Sequence, residues 1–594
     1  MNRAVVQRKN IRPALIFAAV LVAALVIRIL FLVQIEESEL GDVLSLDSRF
    51  YYDLARSLST GHSPIAGAID FNPLYPAFLV VVFRLFGEGL LAPRIVQLVL
   101  GLLTVALMYL GGSRLVEGPR KAKPSGEVTA GLAAAMAVLY SQFILYEGML
   151  LSTAFEVFLV AASFVLALAL DADLREERPL KLGFRRVPRW TAGLLLGALC
   201  GLGALARPNL FILLIAAIPL WLYLRNRRKR RGLIPAVSFI AGAALFLAPP
   251  IAYNAKASGR FVPMTAHGGI NFYVGNRSGG SGIYQALDGL PGDSRGNLEE
   301  SRVRAEAETG RRMTQAEASE YYMHRAIEEI SLDPGAWLRL VGRKLVYFFN
   351  GVELYDVPNV YFCEQSCGVL KFLFLPFAVI APLAICGLIV LFRSGRNRSV
   401  VSIFLGCALV SVLLFFVNAR YRLPAVPILI LAASFFIAWT VRELSRRRVR
   451  NAAIMAAAAV ALFFLVSHRS FVTMNHSAAY AFLGNYYIAN DNEAKAEEAF
   501  AEAYRRDPRK IEAILNYARI LGQRGRYPES AEMLDRAYAR SPHFPGVAIE
   551  YGRALERLGR TEEAGRLYRE AASSNRPQDR DLAHTLLERL EGAR

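Results

Sequence analysis

Charged side chains are scarce wherever this sequence is apolar, and those left in or beside the apolar runs are the first candidates for chemistry. An ion at membrane depth costs about 3 kcal/mol unless something compensates it. Asp47 and Asp53 stand in the stretch GDVLSLDSRFYYDLARSLSTGHSPIAGAIDFNPLYP, residues 41–76, which follows the first apolar run. Glu147 stands in LYEGMLL, Arg94 near the end of a run, Arg207 before Pro208, and Arg420 and Arg422 on either side of Tyr421 in NARYRLP. A guanidinium keeps its charge and binds two phosphate oxygens side by side, while a carboxylate can take the proton of a hydroxyl. These residue types therefore describe a site for an anionic headgroup and a hydroxyl nucleophile, with Asp47 as the carboxylate that does chemistry.

Such residues act together only if the intervening elements bring them to one face. The 594 residues are 54% apolar, and the apolar positions fall in long runs, the mark of a polytopic membrane protein. Candidate spans cover residues 13–33, 90–110, 128–145, 149–170, 190–205, 210–224, 233–253, 369–392, 400–417, 424–441 and 452–466, about eleven in all. The first lacks a small-residue cleavage site and reads as an uncleaved anchor, with Arg28 near its far end. Residues 75–86 are short, carry Arg84, and read as an interfacial helix.

The net charge of +19 would point to nucleic acid in a soluble chain. Here the Lys and Arg cluster in the links between runs, which is a topology signal and excludes that reading. If every run spans, all the basic links fall on the cytoplasmic side, as does the N-terminus. The acidic loop of Glu36, Glu37, Glu39, Asp42, Asp47, Asp53 and Asp70 then lies outside, and so do Glu147, Arg94, Arg207, Arg420 and Arg422.

The expected organisation is all-α. A transmembrane core covers 1–254 and includes a first outer loop at 34–76; a mixed outer-loop subdomain covers 255–367; further transmembrane helices cover 368–467; and a repeat domain covers 475–594. The outer subdomain opens with MTAHGGINFYVGNRSGGSGIY, whose glycines and aromatics suit tight turns over a concave site. Its segment from Asp333-Pro334 to Phe349 is amphipathic, and Trp337, Tyr347, Phe348 and Phe349 are expected at headgroup level. Cys200, Cys386 and Cys407 lie in apolar runs as small hydrophobes. Cys363 and Cys367, spaced C-E-Q-S-C in an outer polar loop, are either a disulfide or two free thiols, with no companion residues for zinc.

The last stretch repeats. Asp491, Gly525 and Gly559 are 34 residues apart, and the same offset relates Ala496, Ser530 and Ala564, as it does Phe500, Leu534 and Tyr568. This is the tetratricopeptide period, with small residues where paired helices cross. Such repeats are usually a surface for a protein partner. The tail lies outside if residues 452–466 cross, and inside if they do not.

The stretches LDSRFYYDLARSL, FNPLYPAFL, YEGMLL, LARPNL, HGGINFYVGN and NARYRLPAVPILILAA together make the chain resemble the C-type (GT-C) glycosyltransferase superfamily. That group holds the protein O-mannosyltransferases and the aminoarabinose transferase of lipid A, and the resemblance is nearest to bacterial members with a tetratricopeptide tail. It implies an inner-membrane enzyme that transfers a sugar from a polyprenyl phosphate donor, undecaprenyl phosphate in a bacterium, to a hydroxyl of a protein, glycolipid or polysaccharide on the outer face, with inversion. Asp47 would be the base. Family members often show Asp-Glu in the first loop, whereas Ser48 follows Asp47 here.

On the same resemblance, Glu147 would assist Asp47 or help to hold a divalent ion, although no metal ligand set is assigned. Arg422 and Arg420, then Arg207 and Arg94, would bind the donor phosphate. Tyr52, Tyr75, His267 and Asn271 are candidate substrate contacts, although the tyrosines read first as interfacial belt aromatics and His267 first as a turn residue. Two other classes of function compete: a transporter or flippase of lipid-linked saccharides, which would show repeated halves or broken helices at the midplane, and a membrane anchor for a repeat-bearing assembly protein.

Overall fold

Backbone amides and carbonyls that leave water must bond within their own segment, so long apolar runs become helices. In the computed structural model this holds throughout. The structure describes residues 2–44, 46–62, 69, 71–116, 126–176, 181–182, 185–225, 231–258, 268–284, 294–354, 360–373, 375–394, 397–468, 476–540, 544–573 and 577–592. The membrane part comprises α1 (Asn2–Glu37), α2 (Leu46–Ser59), α3 (Leu74–Phe86), α4 (Leu91–Val116), α5 (Gly126–Leu139), α6 (Ser141–Gly148), α7 (Thr153–Glu176), α8 (Arg189–Ala206), α9 (Pro208–Arg225) and α10 (Leu233–Ser258). A two-residue hairpin, Lys181–Leu182 with Arg185–Arg186, joins α7 to α8.

The next subdomain holds α11 (Gly268–Asn276), α12 (Ser294–Thr309), α13 (Gln315–Leu332), α14 (Pro334–Phe349), α15 (Val360–Ser366) and α16 (Gly368–Phe372). The bundle resumes with α17 (Phe377–Ser394), α18 (Arg398–Leu413), the short α19 (Ala419–Arg422), α20 (Val426–Ser445) and α21 (Val449–Val466). The tail is α22 (Ser477–Ala489), α23 (Glu493–Arg506), α24 (Ile511–Gln523), α25 (Tyr527–Arg540), α26 (Pro545–Arg557), α27 (Thr561–Ala572) and α28 (Pro577–Gly592).

Among the described residues eight helices are long and apolar enough to cross a membrane, and α5 with α6 makes a ninth span bent by 53°. The other two of the eleven expected runs coincide with shorter apolar helices. The run at 369–392 is interrupted between α16 and α17, leaving Phe377–Arg393 as a shorter apolar helix like Arg398–Leu413. Their shortness is compensated by burial, since Ile380, Ala381 and Ala384 are fully enclosed. Residues 75–86 form α3, a shorter apolar helix whose Val81, Leu85 and Phe86 are exposed.

Close helix contact in this bundle depends on small residues. A Cβ on Gly193, Gly197 or Gly201 of α8 would overlap the backbone of Pro235, Phe239 or Ala243 on α10. Gly387 of α17 lies as tightly against the Ala432 carbonyl of α20. The subdomain is held by local chemistry as well. Thr314 and Glu317 form a reciprocal capping box at the start of α13, and Asp333 accepts from the Ala336 amide at the start of α14.

The amphipathic α14 is oriented differently from the expectation that its aromatic residues lie at headgroup level. Tyr347 and Phe348 are buried in the main core, Trp337 donates to Asn276 Oδ1 at 3.0 Å, and the exposed apolar residues are Leu338, Leu345 and Val346. The aromatics have more area to bury, so they take the protein side. Cys363 and Cys367 are free, buried thiols one helical turn apart, which settles the pair as thiols in this structure.

Candidate active site

Asp47 sits in the first turn of α2, where the unbonded amides favour an anion. The turn is entered through Leu46, whose φ of 44° is left-handed and costs about 1 kcal/mol for a residue with a Cβ. From 373 positions away, Arg420 Nη1 donates to Asp47 Oδ2 at 3.0 Å, with both side chains mostly buried. Arg420 belongs to α19, a single turn started by Asn418, whose side chain accepts from the Tyr421 amide at 2.7 Å.

The Tyr421 ring is the floor shared by two guanidiniums. Arg207 lies over it at 4.3 Å and Arg420 at 5.4 Å, each attracted by the ring's negative face. Phe416 stacks on the same ring at 5.1 Å and joins it to the α11–α13 core of Ile270, Tyr273, Val274 and Tyr322. Arg207 stands between α8 and α9, forced out of helical geometry ahead of Pro208, and its Nε is paired with Glu156 of α7. Ser152 Oγ donates to the other Glu156 oxygen at 2.7 Å. Burial first, then the Asp47 and Glu156 carboxylates, hold the Tyr51 phenol protonated well above its usual range.

A second cluster lies beside this one. Arg28 and Glu147 face each other in a two-bond pair, both at 2.7 Å and both buried. Gly101 of α4 leaves the room for it, since a Cβ there would overlap the Glu147 carboxylate. Arg94 ties three segments together: it pairs with Glu36, donates to the Gly148 carbonyl at 3.0 Å, and donates to the Gly41 carbonyl. Tyr75 links the clusters. Its ring is 5.4 Å from Tyr51, and its hydroxyl donates at 2.8 Å to Gln97, whose amide donates to the Glu147 and Met149 carbonyls.

A third cluster holds Arg422. It donates to the Asn350 carbonyl at 2.7 Å and to the Phe348 carbonyl at 3.2 Å, pairs with Glu353 at 2.5 Å, and lies 3.6 Å over the Phe377 ring. Tyr140, at the break between α5 and α6, donates to Glu353 at 2.9 Å.

The sequence candidates thus fall into separate places. Asp47, Arg420 and Arg207 come together; Glu147 and Arg94 occupy the second cluster and Arg422 the third. Tyr52 donates to the Glu88 carbonyl at 3.1 Å and docks α2 against the end of α3. Asn271 is half-buried on α11, and His267 lies outside the described residues. Glu156, Gln97 and Glu353 were missed. Glu156 carried a usable signal, a carboxylate inside the apolar run TAFEVFLVAASF, whereas Glu353 stands in a loop with none. Among the described residues no three His, Cys, Asp or Glu side chains converge to hold a metal ion. Asp47 and Glu147 are each turned to an arginine, so the pair does not fit a divalent ion and no step is assigned to one.

Fold and site together define a multi-pass helical membrane protein in which a carboxylate and two arginines from distant segments meet around one tyrosine. Its tail is a tetratricopeptide domain: residues 523–590 match a tetratricopeptide repeat family model. Among solved structures, the oligosaccharyltransferase of Archaeoglobus fulgidus in complex with zinc and sulfate aligns over 81% of this chain at 15% identity and a TM-score of 0.42. This chain spans 56% of that protein's length. ArnT from Cupriavidus metallidurans, bound to undecaprenyl phosphate, aligns over 95% of this chain and 81% of its own at 16% identity and a TM-score of 0.40. Yeast Tom70 aligns over 78% of this chain and 92% of its own at 11% identity and a TM-score of 0.21. A comparison with curated protein sequences returns no match.

Proposed function

We propose that this protein is a membrane glycosyltransferase that moves a sugar from a polyprenyl phosphate to an acceptor hydroxyl on the Asp47 face, which the charge of the loops assigns to the outside. One observation carries the reading. The stretches LDSRFYYDLARSL, LARPNL and NARYRLP, three of those on which the superfamily resemblance rests, supply Asp47, Arg207 and Arg420 to a single site around Tyr421.

Asp47 accepts the acceptor's hydroxyl proton as that oxygen attacks the anomeric carbon. The new C–O bond forms as the bond from the anomeric carbon to the phosphate oxygen breaks, and its electron pair leaves with the polyprenyl phosphate. The leaving group is already a stable anion, so the site's task is to stabilise charge rather than to protonate. Arg420 and Arg207 stand where they can bind that phosphate, and the buried Glu156 pair keeps Arg207 aimed at the ring. Glu147, Arg94 and Arg422 act by positioning: Arg94 fixes the turn that leads to Asp47, Glu147 ties α6 to α1 through Arg28, and Arg422 fixes the segment that carries Arg420. Inversion follows from a single displacement.

The test is release of polyprenyl phosphate from a short-chain polyprenyl phosphate sugar, with membrane extract as acceptor source, in nanodiscs. Acceptor-dependent release should fall about 10²- to 10⁴-fold in Asp47→Asn, the range a general base contributes, with donor binding retained. The bent span α5–α6 is a feature a transporter would also carry. Labelled donor crossing liposomes without turnover in either protein would favour that reading instead.

A further inference from the structure

The tail's first repeat departs from the next two at the positions where it touches the membrane part. In steps of 34 residues, Lys495 stands where the later repeats have Glu529 and Glu563, and Asn492 where they have Arg526 and Arg560. The later pairs close within their own repeats, Arg526 on Glu529 and Arg560 on Glu563, each at 2.7 Å. The first repeat lacks that pair: the Asn492 side chain accepts from the Lys495 amide, and Lys495 Nζ donates to Glu39 at 2.6 Å. Tyr486 and Tyr487 stand where the next repeat buries Ile520 and Leu521. Tyr487 donates to the other Glu39 oxygen, and Tyr486 donates to Asp42.

The seat has a second footing. The Gly351 amide donates to the Val466 carbonyl at 2.8 Å, Asn350 donates to the His468 carbonyl at 3.1 Å, and Tyr480 packs edge-on against Phe362 of α15 at 5.0 Å. Both footings lead to the candidate site. Glu39 and Asp42 lie on the turn that Arg94 grips through Glu36 and the Gly41 carbonyl, and Asp42 is five residues before Asp47, a stretch that can span at most about 18 Å. On the other side, the Asn350 carbonyl accepts from Arg422, two residues after Arg420. The tail thus touches both the segment that leads to the carboxylate and the segment that holds the arginines. The ion pair that anchors it is half-exposed, so it is screened by salt and weak enough to open.

We propose that the first repeat is a detachable clamp: seated, it holds the turn before Asp47 and the loop around Arg422 in register, and unseated, it lets them part. Its effect on turnover rests on the transferase reading above, in which Asp47 and Arg420 must face one substrate. Lys495, Tyr486, Tyr487 and Glu39 are positioning residues in this device, since they reach the reacting atoms only through the segments they hold.

Hydrogen–deuterium exchange of the full chain in nanodiscs reads the clamp, and release of polyprenyl phosphate reads its consequence. Glu39→Lys sets two cations face to face. The amides of Ser38 and Gly41, which bond to the Ile35 and Ser38 carbonyls in the seated turn, should then exchange about tenfold faster. The kcat should fall about 10- to 100-fold, as misplacement of a reacting group does, with the donor KM little changed. Adding Lys495→Glu restores the attraction and should restore both readouts. Tyr486→Phe with Tyr487→Phe keeps the rings and removes the hydroxyls; it should speed the same exchange, and so reports on the clamp even if the charge variants misfold. Unchanged exchange in both the Glu39 and the phenylalanine variants, a charge-swapped protein as impaired as Glu39→Lys alone, or faster exchange with kcat unchanged would each overturn the inference and leave the transferase reading intact. Exchange that follows the variants and the rescue, with no donor turnover in any protein including the wild type, upholds the clamp and overturns the transferase reading.

Discussion

Glu147 offers a sharp separation of structural from chemical function. Its carboxylate takes two 2.7 Å bonds from Arg28, and both side chains are almost wholly enclosed. Removing one partner of such a pair leaves an uncompensated buried charge and costs about 3–5 kcal/mol, while replacing both by apolar side chains of similar size is near neutral or stabilising. Glu147→Gln alone should therefore lower the temperature at which the protein loses its monodisperse peak in detergent, and turnover should fall with the folded fraction. The double variant Arg28→Met, Glu147→Met should recover wild-type heat resistance and most of the polyprenyl phosphate release. Two results would refute this account: a Glu147→Gln protein as stable as wild type yet inactive, or a double variant that folds normally and is still inactive. Either would place Glu147 in the chemistry.

Other outcomes follow from the same contacts. Gly101→Ala puts a methyl group into the Glu147 carboxylate and should destabilise by about 1–3 kcal/mol, as overpacking does; Gly406→Ala, with open space at its Cβ, is the control in the same melting assay. Arg422→Met strands the buried Glu353 and should cost about 3–5 kcal/mol, partly restored by adding Glu353→Gln, with denaturation in detergent as the measurement. Lys344 is buried and, among the described residues, its partners are two neutral oxygens, Asn276 Oδ1 at 2.9 Å and the Leu413 carbonyl at 3.0 Å; burial pushes its ammonium down from 10.5 to about 7. Between those values the unfolded chain holds a proton that the folded chain lacks, so stability rises with pH across that window and is lowest below 7. Lys344→Met should flatten the rise, as read by melting from pH 6 to about 10.

Much of this architecture is written along the chain. Apolar runs impose helices because a bilayer offers the backbone no partners, so the sites of the spans were legible, and the period of 34 residues made the repeat tail legible as well. Their lengths and breaks were not: α17 and α18 are shorter than the other apolar helices, and the run over α5 and α6 is bent by 53°. Nor was the orientation of α14: its aromatic residues looked interfacial, but which side of an amphipathic helix meets protein depends on what packs against it.

For the site, the sequence by itself determined the inventory: a few carboxylates and arginines that apolar surroundings make costly, which had to lie on one face if the runs span. The tertiary structure decided the partners. Asp47 meets Arg420 across 373 positions, Arg28 takes Glu147 across 119, and Arg422 turns away to Glu353. The docking of Lys495 and Tyr487 on Glu39 is likewise invisible in the chain order. Ion pairing depends on separations of a few ångströms between side chains carried by different helices, and no local pattern encodes such a distance. It is set by the packing of small residues such as Gly101, Gly193 and Gly387, which determines how closely each helix approaches the next.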